Sequence, residues 1–208
     1  MAVFDSTFYD TEKMRFDADL HDGKKRIVKS ILPYLKGKTV LDFGCGSGLY
    51  TKMVAQHALK VYGVDNPIAL SHAQLAENIV YTQTPPKTEV TLFFDCLEFI
   101  PNWSEVFERY RSSVNFIIYP NFSKRHSRIV SLLMRLTQTQ KKKEVIDTIK
   151  KIEAGRYHTL YRVAFEKEWA EYVQDKKCKI IPFSLVQFPL SFLFGKKYHD
   201  HFLCILSD

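Results

Sequence analysis

Two short strands that end in acids, and a glycine-rich turn after the first, hold most of the chemistry legible in this chain of 208 residues. In Val40-Leu41-Asp42-Phe43-Gly44-Cys45-Gly46-Ser47-Gly48 an apolar strand runs into a turn that opens a helix. Such a turn presents backbone N–H groups to polar or anionic ligand groups. Its glycines allow a sharp reversal and let a ligand approach the main chain closely. Asp42 puts a carboxylate at the strand's C-terminal end, placed to meet a cationic ligand group. Val61-Tyr62-Gly63-Val64-Asp65 is a second strand that also ends in an acid. In a doubly wound sheet an acid at that point accepts both hydroxyls of a ribose.

Spacing separates two ligand classes. The dinucleotide fingerprint is G-x-G-x-x-G, whereas here the third Gly comes one position early, at Gly48, and Leu49 takes its place. The pattern Asp42-x-Gly44-x-Gly46-x-Gly48 resembles the first motif of class I S-adenosylmethionine-dependent methyltransferases. The resemblance implies S-adenosylmethionine as cofactor and S-adenosylhomocysteine as product. It places Asp42 near the α-amino group, directly or through water, and the Gly44, Cys45, Gly46 and Gly48 backbone beside the methionine and ribose parts. It gives the ribose hydroxyls to Asp65, with Asn66 alongside. Asp95, which ends the third strand in this reading, matches the acid or amide that faces the adenine amino group, and the Cys96 backbone donates there. A helix cap is the other reading of Asp95, where Asp is equally at home.

These residues need a frame. Apolar positions at helical spacing run from His21 to Leu35, with Asp22 as N-cap and Pro33 expected to disturb the last turn. Strands are expected at 39–43, 60–64, 90–94, 114–119, 157–165, 179–188 and 199–206, and helices at 49–57, 67–77, 103–111 and 168–174. The alternation predicts an α/β fold: a doubly wound, Rossmann-like, seven-stranded sheet with helices on both faces. It is mostly parallel and closes on a C-terminal antiparallel hairpin, the order of the methyltransferase fold. The resemblance covers residues 22–208 as a single domain. The resemblance implies that residues 1–21, an arm bearing Phe8 and Tyr9, fold over the cofactor, and a helical insertion is expected over residues 123–154.

The acceptor side is less legible. The sulfonium is already activated, so methyl transfer mainly requires an acceptor held in line and water excluded. A base is needed only if the acceptor loses a proton. Tyr119-Pro120-Asn121-Phe122 departs from the Asp/Asn/Ser-Pro-Pro-Tyr/Phe tetrad of amino-methylating nucleic-acid enzymes, which argues against base N-methylation. Tyr119 either turns its ring to the sulfonium or caps the sheet's end. His158 is the candidate base or acceptor ligand, against a plain polar position on a half-exposed strand. His126 with Lys124, Arg125 and Arg128 would hold an acidic acceptor or be a solvated helix start.

Composition sets the class. The formal charge is +7, the isoelectric point about 9.1 and the hydrophobic fraction 46%. A moderately basic globular chain permits nucleic acid without requiring it. Cys45, Cys96, Cys178 and Cys204 are widely spaced, so neither a metal site nor a disulfide framework is expected, and Cys45 and Cys204 read as small buried residues of a reducing compartment. The N-terminus shows no signal-peptide pattern and no segment is apolar enough for a bilayer, so the expectation is a cytoplasmic monomer or homodimer with no membrane partner. The function expected is methyl transfer to an O or N atom of a small molecule. Alternatives are an RNA or protein methyltransferase, favoured by the basic residues, or a non-catalytic cofactor-binding subunit.

Overall fold

The structure, a computed structural model, describes residues 21–120, 159–183 and 201–207. The arm, the insertion, His126 with its basic neighbours, His158 and Tyr9 all lie outside the described residues.

The elements in chain order are α1 (His21–Leu35), β1 (Thr39–Phe43), α2 (Leu49–Ala55), β2 (Lys60–Val64), α3 (Pro67–Ser71), β3 (Ile79–Tyr81), β4 (Val90–Phe94), a single 3₁₀ turn (Leu97–Phe99), α4 (Trp103–Tyr110), β5 (Val114–Pro120), α5 (Thr159–Val173), β6 (Cys178–Phe183) and β7 (His201–Ser207). They build one seven-stranded sheet in the order β3-β2-β1-β4-β5-β7-β6. β1 to β5 run parallel, while β7 pairs antiparallel with both β5 and β6. The chain leaves β1 towards β2 on one side and reaches β4 on the other. That reversal of strand order opens a crevice at the carboxyl ends, where ligands of such sheets bind.

Alternation along the strands fills two layers. Val40, Val61, Leu92, Phe116 and Ile118 face α1 and α2, against Ile31, Leu35 and Val54. Leu41, Phe93, Ile117 and Cys204 face the other way, against Phe107 of α4 and Phe165 and Trp169 of α5. Both faces are thus covered, as a parallel sheet requires. The full burial of Ile31 and Leu35 contributes about 1.5–3 kcal/mol each. Asn115, the polar exception in β5, is fully buried and satisfied locally: its Nδ2 donates to the Ser112 carbonyl at 2.7 Å and its Oδ1 accepts from the Ser112 N–H at 2.8 Å. Pro33 lies inside α1, which continues to Leu35.

Four expectations are corrected. Of the strand read over 157–165, the described residues from Thr159 on are instead the start of α5, and the helix read over 168–174 is that same helix's C-terminal half. The spacing of Phe165, Trp169, Tyr172 and Val173 is the i, i+4, i+7, i+8 pattern of one helical face, and these are its buried or half-buried positions; the aromatic and β-branched content of 157–165 masked it. The helix read over 67–77 stops at Ser71, and Ile79–Tyr81 forms the edge strand β3, too short to stand out as a run. The seventh strand is therefore β3. Finally, Cys178 and Cys204 form a disulfide across β6 and β7, a pairing that their separation of 26 residues hides.

Candidate active site

The parallel registers pair Phe43 with both Val64 and Phe93, so β1, β2 and β4 end level and the residues just past them converge. Gly44 and Gly48 carry φ of +74° and +75°, the left-handed region that costs an L side chain about 1–2 kcal/mol. Gly44 is also crowded: a Cβ there would lie 2.5 Å from the Cys96 Cβ. The N–H groups of Gly44 and Cys45 donate to the Val64 carbonyl at 2.8 and 3.2 Å, which ties the turn to the end of β2.

Three carboxylates ring this turn. Asp42 is 1% exposed, and Thr51 of α2 donates to its Oδ2 at 2.6 Å. Asp65 accepts from the Gly46 N–H at 2.8 Å on one oxygen, and from the Asn66 N–H and Nδ2 at 2.7 and 3.0 Å on the other. Asn66 also N-caps α3 through Ala69. One acid thereby orients the glycine turn and the start of α3 together. Asp95, at the end of β4, has φ of +52° and donates its N–H to the Ile118 carbonyl at 3.0 Å. A non-glycine residue in that region is an outlier of the kind that collects at functional sites. Cys96 is buried behind it, its Sγ 3.2 Å from the Phe43 carbonyl.

Two thiols register the field of these acids. Burial raises the Cys45 pKa first, and Asp42 and Asp65 raise it further. Burial likewise dominates at Cys96, followed by Glu98, Asp42, Asp65 and Asp95. Both shifts favour the protonated thiol. The acids that contribute to them suit a ligand bearing a positive charge and a diol.

Tyr81 was not anticipated. Its ring packs on Gly63, and its hydroxyl, which donates to the Gln74 carbonyl at 2.7 Å, occupies the space a Cβ on Gly48 would need. Burial, then Cys45 and Asp42, push its phenol well up. Its only cue in the sequence is the short run Ile79-Val80-Tyr81. Tyr119 ends β5 at the same edge, but its ring is 5% exposed and packs at 5.8 Å from Phe165 and 5.5 Å from Phe202. The structure thus gathers Asp42, Gly44, Cys45, Gly46, Gly48, Asp65, Asn66, Asp95 and Cys96 around one crevice and sets Tyr119 within the aromatic layer beside it.

Known proteins share this fold. The family profile of a methyltransferase domain matches residues 16–123. The ubiquinone biosynthesis O-methyltransferase of Pseudomonas paraeruginosa (strain DSM 24068 / PA7) is 28% identical over a stretch covering 35% of this chain and 38% of that enzyme, so the match spans well under half of either protein. The magnesium protoporphyrin IX methyltransferase of Synechocystis PCC 6803, solved with S-adenosylhomocysteine, superimposes with a TM-score of 0.56 at 15% identity, over 93% of this chain and 87% of that one. A chain of the complex between the Haloferax volcanii Trm112 methyltransferase activator and a methyltransferase does so with a TM-score of 0.61 at 11% identity, over 97% and 96%. At such identities the two structures share the fold.

Proposed function

Because this chain belongs to the class I S-adenosylmethionine-dependent methyltransferase family, we propose that it transfers the methyl group of S-adenosylmethionine to an O or N atom of a small-molecule acceptor. One observation carries the reading: Asp42, Asp65 and Asp95 surround a glycine turn at the level carboxyl ends of β1, β2 and β4. That arrangement matches a ligand with a sulfonium, an ammonium, a ribose and an adenine. The names of two relatives, in ubiquinone biosynthesis and on magnesium protoporphyrin IX, support a small molecule as acceptor.

The cofactor supplies a methyl group already activated on a cationic sulfur. The chain's own work is to bind, orient and keep water out. Asp65, held by three N–H donors, would take the ribose hydroxyls and so couple cofactor binding to the position of Gly46. Asp42 would face the ammonium group, oriented by Thr51. Asp95 would meet the adenine amino group, with the Cys96 backbone beside it, and the arm with Tyr9 would close over the bound ligand. His158 is the proposed base, and Tyr119, packed in the aromatic layer, would back the wall of the acceptor site rather than touch the acceptor.

Calorimetric titration with S-adenosylmethionine and S-adenosylhomocysteine tests this. Micromolar binding that Asp65→Ala abolishes is the expected result; heat with neither ligand from folded protein would overturn it. With an acceptor in hand, His158→Gln is expected to lower kcat while S-adenosylhomocysteine affinity stays unchanged.

A further inference from the structure

The crossover from β3 to β4 passes over β2 and β1 in only eight residues, 82–89, and carries no helix. A parallel crossover ordinarily takes a dozen residues or more and a helix that covers the sheet. Where that helix is missing, a cavity of about 200 Å³ opens between the loop and the C-terminal end of α4. Leu41 and Tyr110 contribute apolar surface, Pro85 and Pro86 stiffen the loop, and Lys87, Arg109 and Arg111 supply charge. No acid lines it. The nearest acid of the loop, Glu89, is committed to Lys38 at 2.7 Å and to the Thr39 N–H at 3.0 Å. Arg111 meets Glu108 at 3.7 Å, while neither Lys87 nor Arg109 pairs with a carboxylate among the described residues. Beneath the cations is a buried hydroxyl shelf: Ser112, 8% exposed, bonds to Thr91 at 2.7 Å and to Thr88 at 3.1 Å.

We propose that this cavity is a second ligand site, for a phosphate monoester with a small flat apolar body. Guanidinium forks suit phosphate oxygens, Arg109 is held over the Tyr110 ring at 5.4 Å, and the two prolines offer a surface for a ring; the hydroxyls below bond among themselves and to the Tyr110 and Val90 carbonyls and so form the cavity's floor. The glycine turn lies past the carboxyl end of β1, whereas Thr88 and Ser112 precede β4 and β5, so the cations lie at the opposite strand ends from the crevice, and only Gln83, which donates to the Asp65 carbonyl, touches both; the proposal does not rest on the methyl-transfer reading.

Phenyl phosphate, titrated into isotope-labelled full-length protein and followed by amide chemical shifts, tests the assignment, with inorganic phosphate and phenol as the two half-ligands. Shifts confined to residues 82–88 and 109–112, with phenyl phosphate binding tighter than either half-ligand, are expected. Lys87→Gln and Arg109→Gln should each weaken binding roughly tenfold, about 1.4 kcal/mol apiece. Both side chains are exposed, so the variants should melt as the parent does. Equal binding by the double variant, shifts elsewhere, or no binding would overturn the proposal. So would an oligonucleotide that binds tighter than phenyl phosphate and is lost in the double variant, which would make the patch a nucleic-acid surface.

Discussion

The crevice between β1, β2 and β4 and the layer between α4, α5 and β5 sit side by side at one end of the sheet, yet they are built on opposite principles. The crevice is made of backbone: glycines at positive φ, N–H groups aimed at Asp65, and short polar side chains at the ends of three strands. The neighbouring layer is made of rings. Trp169 stacks at 5.9 Å on Phe165, meets Trp103 and Phe107 edge-on at 5.5 Å each, and lies at 5.5 Å from Tyr172. Its members come from three distant segments. A site that binds an invariant part of a ligand can be specified locally; a support that only has to fill space can be assembled from anywhere. Chemistry on the first side and stability on the second should therefore separate under mutation.

Trp169→Ala should give the largest effect, a destabilisation of about 3–5 kcal/mol in denaturant unfolding. If the two regions are separate, the affinity for S-adenosylhomocysteine stays within about twofold where the variant is folded. Trp169→Phe should cost much less, because the buried indole Nε1 has no hydrogen-bond partner among the described residues. A large loss of ligand affinity in Trp169→Phe would break the comparison.

Gly44→Ala attacks the other side. The left-handed φ costs about 1–2 kcal/mol and displacement of Cys96 about 1–3 more. Here ligand binding should disappear in calorimetry at temperatures where circular dichroism still reports a folded chain. Thr51→Val keeps the shape and removes the donor to buried Asp42, so about 1.5–3 kcal/mol of stability should be lost above the carboxylate's titration range. Ligand affinity should fall with it. An unchanged affinity would show that Asp42 serves the fold alone.

The smallest effect belongs to Glu89, remote from both regions. Its hydrogen bond from Lys38 holds its carboxyl below the ordinary 4.5, so the pair's contribution is present above that pH and is lost as pH falls through the lower, folded value. The exposure of both side chains keeps it slight. Melting curves of Glu89→Gln and the parent should differ a little at neutral pH and converge in acid, more so at low salt.

Legibility followed the same division. Asp42, Gly44, Gly46, Gly48 and Asp65 stand out because turn geometry and ligand chemistry both act on neighbours in sequence. Tyr81 and the disulfide between Cys178 and Cys204 did not: each matters only through a partner brought close by strand pairing. The start of α5 was misread because aromatic and β-branched residues suit a strand as readily as a buried helix face, and periodicity over a few residues does not separate the two.

The sequence by itself determined the elements from α1 to β2 and from β4 to β5, the glycine turn with its acids, and hence the ligand class, since all of these are local choices of φ, ψ and side-chain chemistry. Only the tertiary structure decided that β1, β2 and β4 end level so that three carboxylates share one crevice, that Tyr119 turns into an aromatic layer, and that a helix-free crossover leaves a basic cavity beneath it. Those outcomes depend on register and on which face each chain segment covers, and register is set by the packing of the whole sheet rather than by any one strand.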